Sequence, residues 1–398
     1  MQKETNLNVV LYSKGFLPKI GGREMVVFQL ARALRRLGTR VRVVCPSGWR
    51  TSRRHRYNFP VHRWPTLRGL FPEQVAYAQL SLDVSIWGAD VIHAHNTYPT
   101  GYIGTRFNKR RSTPLVITPH GRDIHVIPEI DHGLRLDPEL KPKIEHAVRE
   151  ANLVTAISDS VRDSLVDAGA HEERIRQIPN GIDFDRFRRT HSSEVLESFG
   201  LPADAKLLLT VGSYEPRRGH ENLIRAMPQI KAAHTDARLV IVGRSTHQLQ
   251  PLIDELGLNE DVILTGEINF PTDVMSQDDP LAAIYQASSI YLSGGMAEGA
   301  EGLSLAVLDA MAAGLPVVAT NISGNRDIVS PGKNGYLVEP GDIDALAERV
   351  IRLLRDEAVS RQLGQAATDS VRKYGWDEIA NQYLDLYNEA ITLARNKV

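Results

Sequence analysis

Cysteine is almost absent from this chain of 398 residues, Cys45 being its only one. No disulfide can form within the chain, and the place of Cys45 in the apolar run Val41-Arg42-Val43-Val44-Cys45 predicts a buried strand residue rather than a reactive thiol. A reducing, cytoplasmic setting is therefore expected. Long apolar runs are missing as well: no stretch approaches the roughly eighteen apolar residues that cross a bilayer. The polar start Met1-Gln2-Lys3-Glu4-Thr5-Asn6 leads straight into a strand, which argues against a signal peptide. Aromatic residues make up only 6%. The basic stretches carry no recognisable nucleic-acid-binding module, and this sets nucleic-acid binding aside.

Two chemical signatures are lacking. No G-x-G-x-x-G follows a strand with an acid about twenty residues on, so neither Gly21-Gly22 nor Gly212 through Gly219 fits a nucleotide-dependent dehydrogenase. No DxD-like pair stands at a strand end, since Asp278-Asp279 precedes Pro280 and reads as a helix entry. His93 and His95 would share one face of a strand. No third ligand follows them at helpful spacing, and no metal is expected.

What is present is ordinary for a globular protein, with 42% hydrophobic and 24% charged residues, and the length suits two domains. Short β-rich runs alternate with helical patterns, the signal of α/β architecture with parallel sheets. Strands are expected at Leu7–Ser13, Arg40–Pro46, Asp90–His95, Leu115–His120 and Leu153–Ser158. A second set follows at Lys206–Ser213, Arg238–Gly243, Val262–Glu267, Ile290–Ser293, Pro316–Thr320 and Gly335–Val338. Helices such as Glu24–Leu37 and Glu221–Ala233 fall between them. Turn residues from Pro179 to Phe187 separate the two sets. Beyond Gly341 the pattern is helical, with Trp376, Ile379, Tyr383, Leu384 and Tyr387 spaced for one buried face.

Net charge near zero conceals an asymmetry. Residues 1–190 hold 30 of the 47 Lys and Arg but 19 of the 48 Asp and Glu, an excess of eleven positive charges, against twelve negative in the remainder. Part of the excess is clustered in Arg50, Arg53, Arg54, Arg56, Arg63 and Arg68, and again in Arg106, Lys109, Arg110 and Arg111. Such clusters suit an anionic acceptor or the inner face of an anionic membrane, at roughly 1 kcal/mol per residue near the surface; a solvated face is the alternative.

The most informative segment runs from Glu301 through Gly302, Leu303, Ser304 and Leu305 to Asp309. Two carboxylates eight residues apart span roughly 12 Å along a helix, about the distance a diphosphate sets between a hexose and a ribose. Free N–H groups of the first helical turn between them offer an anion site. This segment resembles the E-x7-E signature of the retaining GT-B glycosyltransferases of family 4, the glycosyltransferase group 1 domain, and Pro179-Asn180-Gly181-Ile182-Asp183 resembles the family's linker. The resemblance implies two Rossmann-like doubly wound domains facing a central cleft. Residues 1–190 would be the acceptor domain, residues 191–377 the donor domain, and a final helix at about 378–398 would cross back onto the first. It also implies that Glu301 holds the donor sugar, that the backbone of Gly302 to Leu305 holds the distal phosphate, and that Asp309 binds the ribose. Asp309 departs from the usual Glu by one methylene.

Further positions follow. Gly21 and Gly22 join a strand end to a helix start, where backbone N–H groups approach a phosphate closely. In Gly212-Ser213-Tyr214-Glu215-Pro216-Arg217-Arg218-Gly219, Arg218 matches the family's Lys, whereas Ser213 stands where Arg is usual; Arg217 is expected to supply the missing charge. His120 closes an apolar strand, where open α/β sheets place ligands, and matches the family's catalytic-site His. Asp123 is expected to orient the acceptor. The implied activity is metal-independent, retaining transfer of a hexose from a nucleoside-diphosphate sugar to a glycan, lipid-linked or small-molecule acceptor. A uridine-linked donor comes first and GDP-mannose second, and no cofactor is expected. The competing readings are a sugar-nucleotide epimerase and a sugar-nucleotide-binding scaffold without activity.

Overall fold

The computed structural model describes residues 7–18, 21–47, 57–65, 73–111, 113–189, 193–268, 279–299 and 302–396. Glu301, Asp278 and the arginines at 50, 53, 54, 56 and 68 lie outside these, as do the side chains of Lys109, Arg110 and Arg111.

Among the described residues, thirteen strands make two parallel sheets. The first contains β1 (Asn8–Ser13), β2 (Arg40–Ser47), β3 (Val61–Pro65), β4 (Val91–His95), β5 (Leu115–Thr118), β6 (Leu153–Ala156) and β7 (Ile175–Gln177), in the order β3-β2-β1-β4-β5-β6-β7. The second contains β8 (Lys206–Val211), β9 (Ala237–Val242), β10 (Val262–Gly266), β11 (Ile290–Ser293), β12 (Val317–Thr320) and β13 (Gly335–Val338), in the order β10-β9-β8-β11-β12-β13.

The central strands are unbroken apolar runs because both of their faces are covered. Leu207 and Leu209 of β8 belong to one apolar cluster, while Leu208 between them belongs to another that also takes Leu239, Ile241, Ile290 and Leu292. Val9, Val10 and Leu11 of β1 are fully buried; each such side chain contributes about 2 kcal/mol of transfer free energy. Both sheets reverse their strand order beside their first strand, between β1 and β4 and between β8 and β11. Open α/β sheets bind ligands outside the carboxyl ends of their strands at such a reversal. The loops after β1, β4, β8 and β11 are therefore where chemistry should be sought.

The chain divides into two compact units, one of Met1–Gly181 with Trp376–Val398, the other of Ile182–Pro271 and Met275–Gly375. The last helix, Trp376–Arg395, packs in the first unit: Asp377 accepts from Arg36 at 2.6 Å and Tyr387 meets His93 at 2.8 Å. Two elements went unread in the sequence. β3 and β7 are the edges of the first sheet, where strands are short and polar. The expected strand Leu115–His120 also stops two residues early, because the His120 N–H bonds to Asp123 Oδ1 at 2.8 Å and leaves the ladder. Among the described residues no helix is long and apolar enough to cross a membrane.

Candidate active site

In the second unit the loops after β8 and β11 are tied together. Gly212 still bonds to Val242 O at 2.8 Å, after which the chain turns through the short helical segment Pro216–Arg218. Met296 N–H donates to Arg217 O at 2.9 Å. Gly219 is left-handed at φ +64, and a Cβ there would stand 2.0 Å from Gly294 O, so only glycine allows this approach. The same absence of a side chain at Gly212 gives room to Arg218: a Cβ at 212 would lie 2.7 Å from Nη1. Arg217 is held differently, its Nε donating to Glu215 Oε2 at 2.8 Å.

The approach to Glu301 is anchored from the turn and short helix Asn325–Ile328 that follow β12. Glu298 accepts the Ser323 N–H at 3.0 Å and pairs with Arg326 at 2.6 Å, and Gly299 N–H donates to Ser323 Oγ at 2.9 Å. Burial would raise the Glu298 pKa, but the bonds from Arg326 and Ser323 outweigh it and hold the carboxyl below its usual range. The helix Leu305–Ala312 then starts from Ser304, whose side chain does not cap it. Its first internal bond is Leu308 N–H to Ser304 O at 3.2 Å. The N–H groups before it lack an intrahelical acceptor and carry the positive end of the helix dipole.

Asp309 sits one turn further on, and its partner was not foreseen. Arg186, from the turn Phe184–Phe187, donates through Nη1 to Asp309 Oδ2 at 2.9 Å and through Nε to Asp279 Oδ2 at 2.7 Å. Asp279 in turn caps the helix Pro280–Ala287 by accepting the Ala282 N–H at 3.0 Å. Burial raises the Asp309 pKa above the ordinary carboxylate value against the pull of Arg186. Burial would lower the Arg186 pKa, but the two carboxylates raise it further. Arg186 lies 93 and 123 residues from its partners, and no local spacing signals such a pair.

In the first unit the reversal point gathers Gly21, Gly22, Arg23, His95 and Asn96. Arg23 Nη1 donates to Asn96 Oδ1 at 2.8 Å, and Arg23 also pairs with the adjacent Glu24. A Cβ at Gly21 would lie 2.5 Å from Glu24 Oε2 and one at Gly15 3.0 Å from Oε1. The Glu24 carboxylate thus lies against Gly15 and Gly21, so a phosphate seated on Gly21, as the sequence suggests, would have to displace it.

His120 stands at the end of β5, partly buried, its Nε2 3.1 Å from His95 Nδ1. Burial is the largest cause lowering the pKa of both rings; the Arg23 charge adds to it, bringing His95 to about 3, and His120 is lowered further by His95 itself. Both imidazoles are therefore neutral at physiological pH. Asp123, expected at the acceptor, is instead buried, its two carboxylate oxygens accepting the backbone N–H groups of His120 at 2.8 Å and Thr97 at 2.7 Å. It holds the loops after β4 and β5 in place.

Two doubly wound parallel sheets, one carrying an arginine loop bonded to the approach of the helix Leu305–Ala312, are the architecture of the GT-B class of glycosyltransferases. Residues 192–370 match the family of glycosyl transferases group 1 and residues 20–186 that of glycosyltransferase family 4. The chain is 30% identical to D-inositol 3-phosphate glycosyltransferase 1 of Catenulispora acidiphila, over 77% of this chain and 74% of that protein. It is 24% identical to N-acetyl-alpha-D-glucosaminyl L-malate synthase of Bacillus anthracis, over 77% and 76%. Among solved structures, sucrose-phosphate synthase of Thermosynechococcus elongatus superposes with a TM-score of 0.80 at 22% identity, covering 97% of this chain and all of that one. The chain belongs to the family 4 glycosyltransferases.

Proposed function

We propose that this enzyme transfers a hexose from a nucleoside-diphosphate sugar, with retention of configuration and without a metal, to an anionic acceptor. The observation that carries the reading is the contact between the Arg217-Arg218 loop and the loop entering the 301–309 segment. It joins the loop that carries Arg217 and Arg218 to the loop that leads into a helix start, at the sheet's reversal point; positive charge and free N–H groups brought to one place are what a departing diphosphate needs. Arg218 and the N–H groups of residues 302–305 would take up the charge on the leaving phosphate. Glu301 would hold the sugar, and Asp309, held in place by Arg186, the ribose.

In the same-face mechanism we favour, the bond from the anomeric carbon to the phosphate oxygen breaks as the acceptor oxygen attacks from that side. The acceptor's proton passes to the departing phosphate, so no carboxylate nucleophile is required. The relatives named above act, by their names, on an inositol phosphate and on malate. An anionic acceptor also agrees with the basic first half. A uridine-linked donor is our first choice and GDP-mannose our second.

A thermal-shift series with UDP, GDP, ADP and their sugar conjugates, without added metal, tests this. A ligand at a hundred times its Kd adds about 2.7 kcal/mol, so the true donor should raise Tm by several degrees. No shift with any of them would favour a scaffold without activity.

We further propose that the first unit rests on an anionic membrane. The helix Glu73–Trp87 leaves Val75, Leu82 and Ile86 exposed at helical spacing, Ile86 at 70%, and Arg40 and Arg42 lie over Trp87 at its end. The protein should co-sediment with vesicles rich in phosphatidylglycerol and not with phosphatidylcholine alone. Replacing the three apolar residues by serine should abolish this, and a variant that sediments as before would refute it.

A further inference from the structure

Three histidines are stacked along the carboxyl ends of β4 and β5. His93 is fixed at both nitrogens, Nδ1 to Tyr387 Oη at 2.8 Å and Nε2 to Thr118 Oγ1 at 2.7 Å. His95 packs on it with ring centroids 4.2 Å apart and reaches His120 through Nδ1 at 3.1 Å. The other nitrogen of His95, Nε2, is buried and has no hydrogen-bond partner among the described residues.

Two neutral imidazoles that share one hydrogen bond must divide the roles, one giving and one taking. If His120 gave its Nε2 proton, His95 would carry its own on Nε2, a buried N–H without acceptor, in the field of the Arg23 guanidinium. If His95 gives its Nδ1 proton instead, its Nε2 presents a lone pair to that positive field. A buried N–H without acceptor, on a ring where the nearby Arg23 charge already disfavours added positive charge, is the costlier arrangement. Arg23 cannot swing away readily, since Asn96 and Glu24 both hold it.

We infer that His95 is a positioning residue that fixes His120 in the tautomer with its proton on Nδ1, so that His120 offers a hydrogen-bond donor to a bound substrate oxygen and does not act as a base. The ring of His120 is only partly buried, and Nδ1 has no partner among the described residues. Asp123 fixes the backbone of the same residue. His93, itself held by Tyr387 of the last helix, packs on the His95 ring. The spacing of His93-Ala94-His95 on a strand predicted a shared face, and the two rings do lie together on one side of β4, with centroids 4.2 Å apart.

The test has one arm that needs no substrate and one that rests on the proposed transfer activity. In long-range nitrogen–proton spectra of protein labelled with 15N-histidine, the His120 signals are those lost in His120→Gln. They should show the proton on Nδ1 near neutral pH. A proton on Nε2 overturns the inference, whatever the enzyme's activity proves to be. In the second arm, His95→Asn keeps a donor where Nδ1 stands, while His95→Asp puts only acceptors there. The Asn variant should hold kcat within about tenfold of the parent, and the Asp variant should lose about 100-fold or more, with the donor KM little changed. Equal rates for the two would also overturn it. Should the Asp variant fail to fold, the spectrum of the unaltered protein still decides.

Discussion

Replacing Arg218 by methionine should lower kcat for sugar transfer by two to three orders of magnitude, about 3–4 kcal/mol of transition-state stabilisation, with little change in Tm. The guanidinium lies along Gly212 and is kept there by the absence of a side chain. Its loop is bonded to the approach of the 301–309 segment through Met296 and Arg217. A cation so placed is fixed before charge develops on the phosphate, which is why its loss falls on kcat rather than on KM. Gly212→Ala reaches the same group from the other side. The added Cβ meets the mobile end of a flexible side chain, so the fold should tolerate it while the guanidinium is pushed aside, at a cost of about tenfold or more in rate. Arg217→Met should cost less, because Glu215 already neutralises part of that charge. An Arg218→Met enzyme that kept more than a tenth of its rate would remove Arg218 from the machinery.

Much of the fold was readable because parallel strands buried on both faces write themselves as apolar runs. β11 and β13 have the bounds that the sequence predicts, and the other predicted strands differ by a residue or two. What escaped was whatever the apolar pattern does not encode. β3 is the run Val61-His62-Arg63-Trp64-Pro65 at a sheet edge, and its polar side chains are placed by tertiary partners: His62 and Trp64 both bond to the buried carboxylate of Asp83. At the site, the turn of glycines and arginines after β8 was legible because its sequence pattern is local. The roles of Asp123, Glu24 and Arg186 were not. Each is a charged residue whose position is set by a buried partner or backbone group, and sequence spacing cannot tell such an anchor from a ligand.

Arg186→Met should be the most damaging change to stability in the second unit, costing about 3–5 kcal/mol at neutral pH. It leaves the carboxylates of Asp279 and Asp309 buried with their shared cation gone, 9% and 17% exposed. The loss should shrink in acid, and the sign follows from Asp309. Its pKa is already raised in the folded protein, and without Arg186 burial and Asp279 would raise it further. A carboxyl with a raised folded pKa binds protons in the native state that the unfolded chain does not hold. Stability is therefore regained as pH falls through the folded pKa towards the ordinary value near 4. Urea unfolding at pH 7.5 and pH 5 should show a smaller deficit at the lower pH; an equal or larger deficit there would mean that the carboxylates are not the source of the loss. Arg186→Lys keeps the charge but not the fork that serves two acids at once. It should recover part of the stability while leaving Asp309 less well aimed. If Asp309 binds the ribose, this variant should weaken nucleotide binding more than its stability alone accounts for, and that separates the anchoring of Asp309 from the survival of the fold.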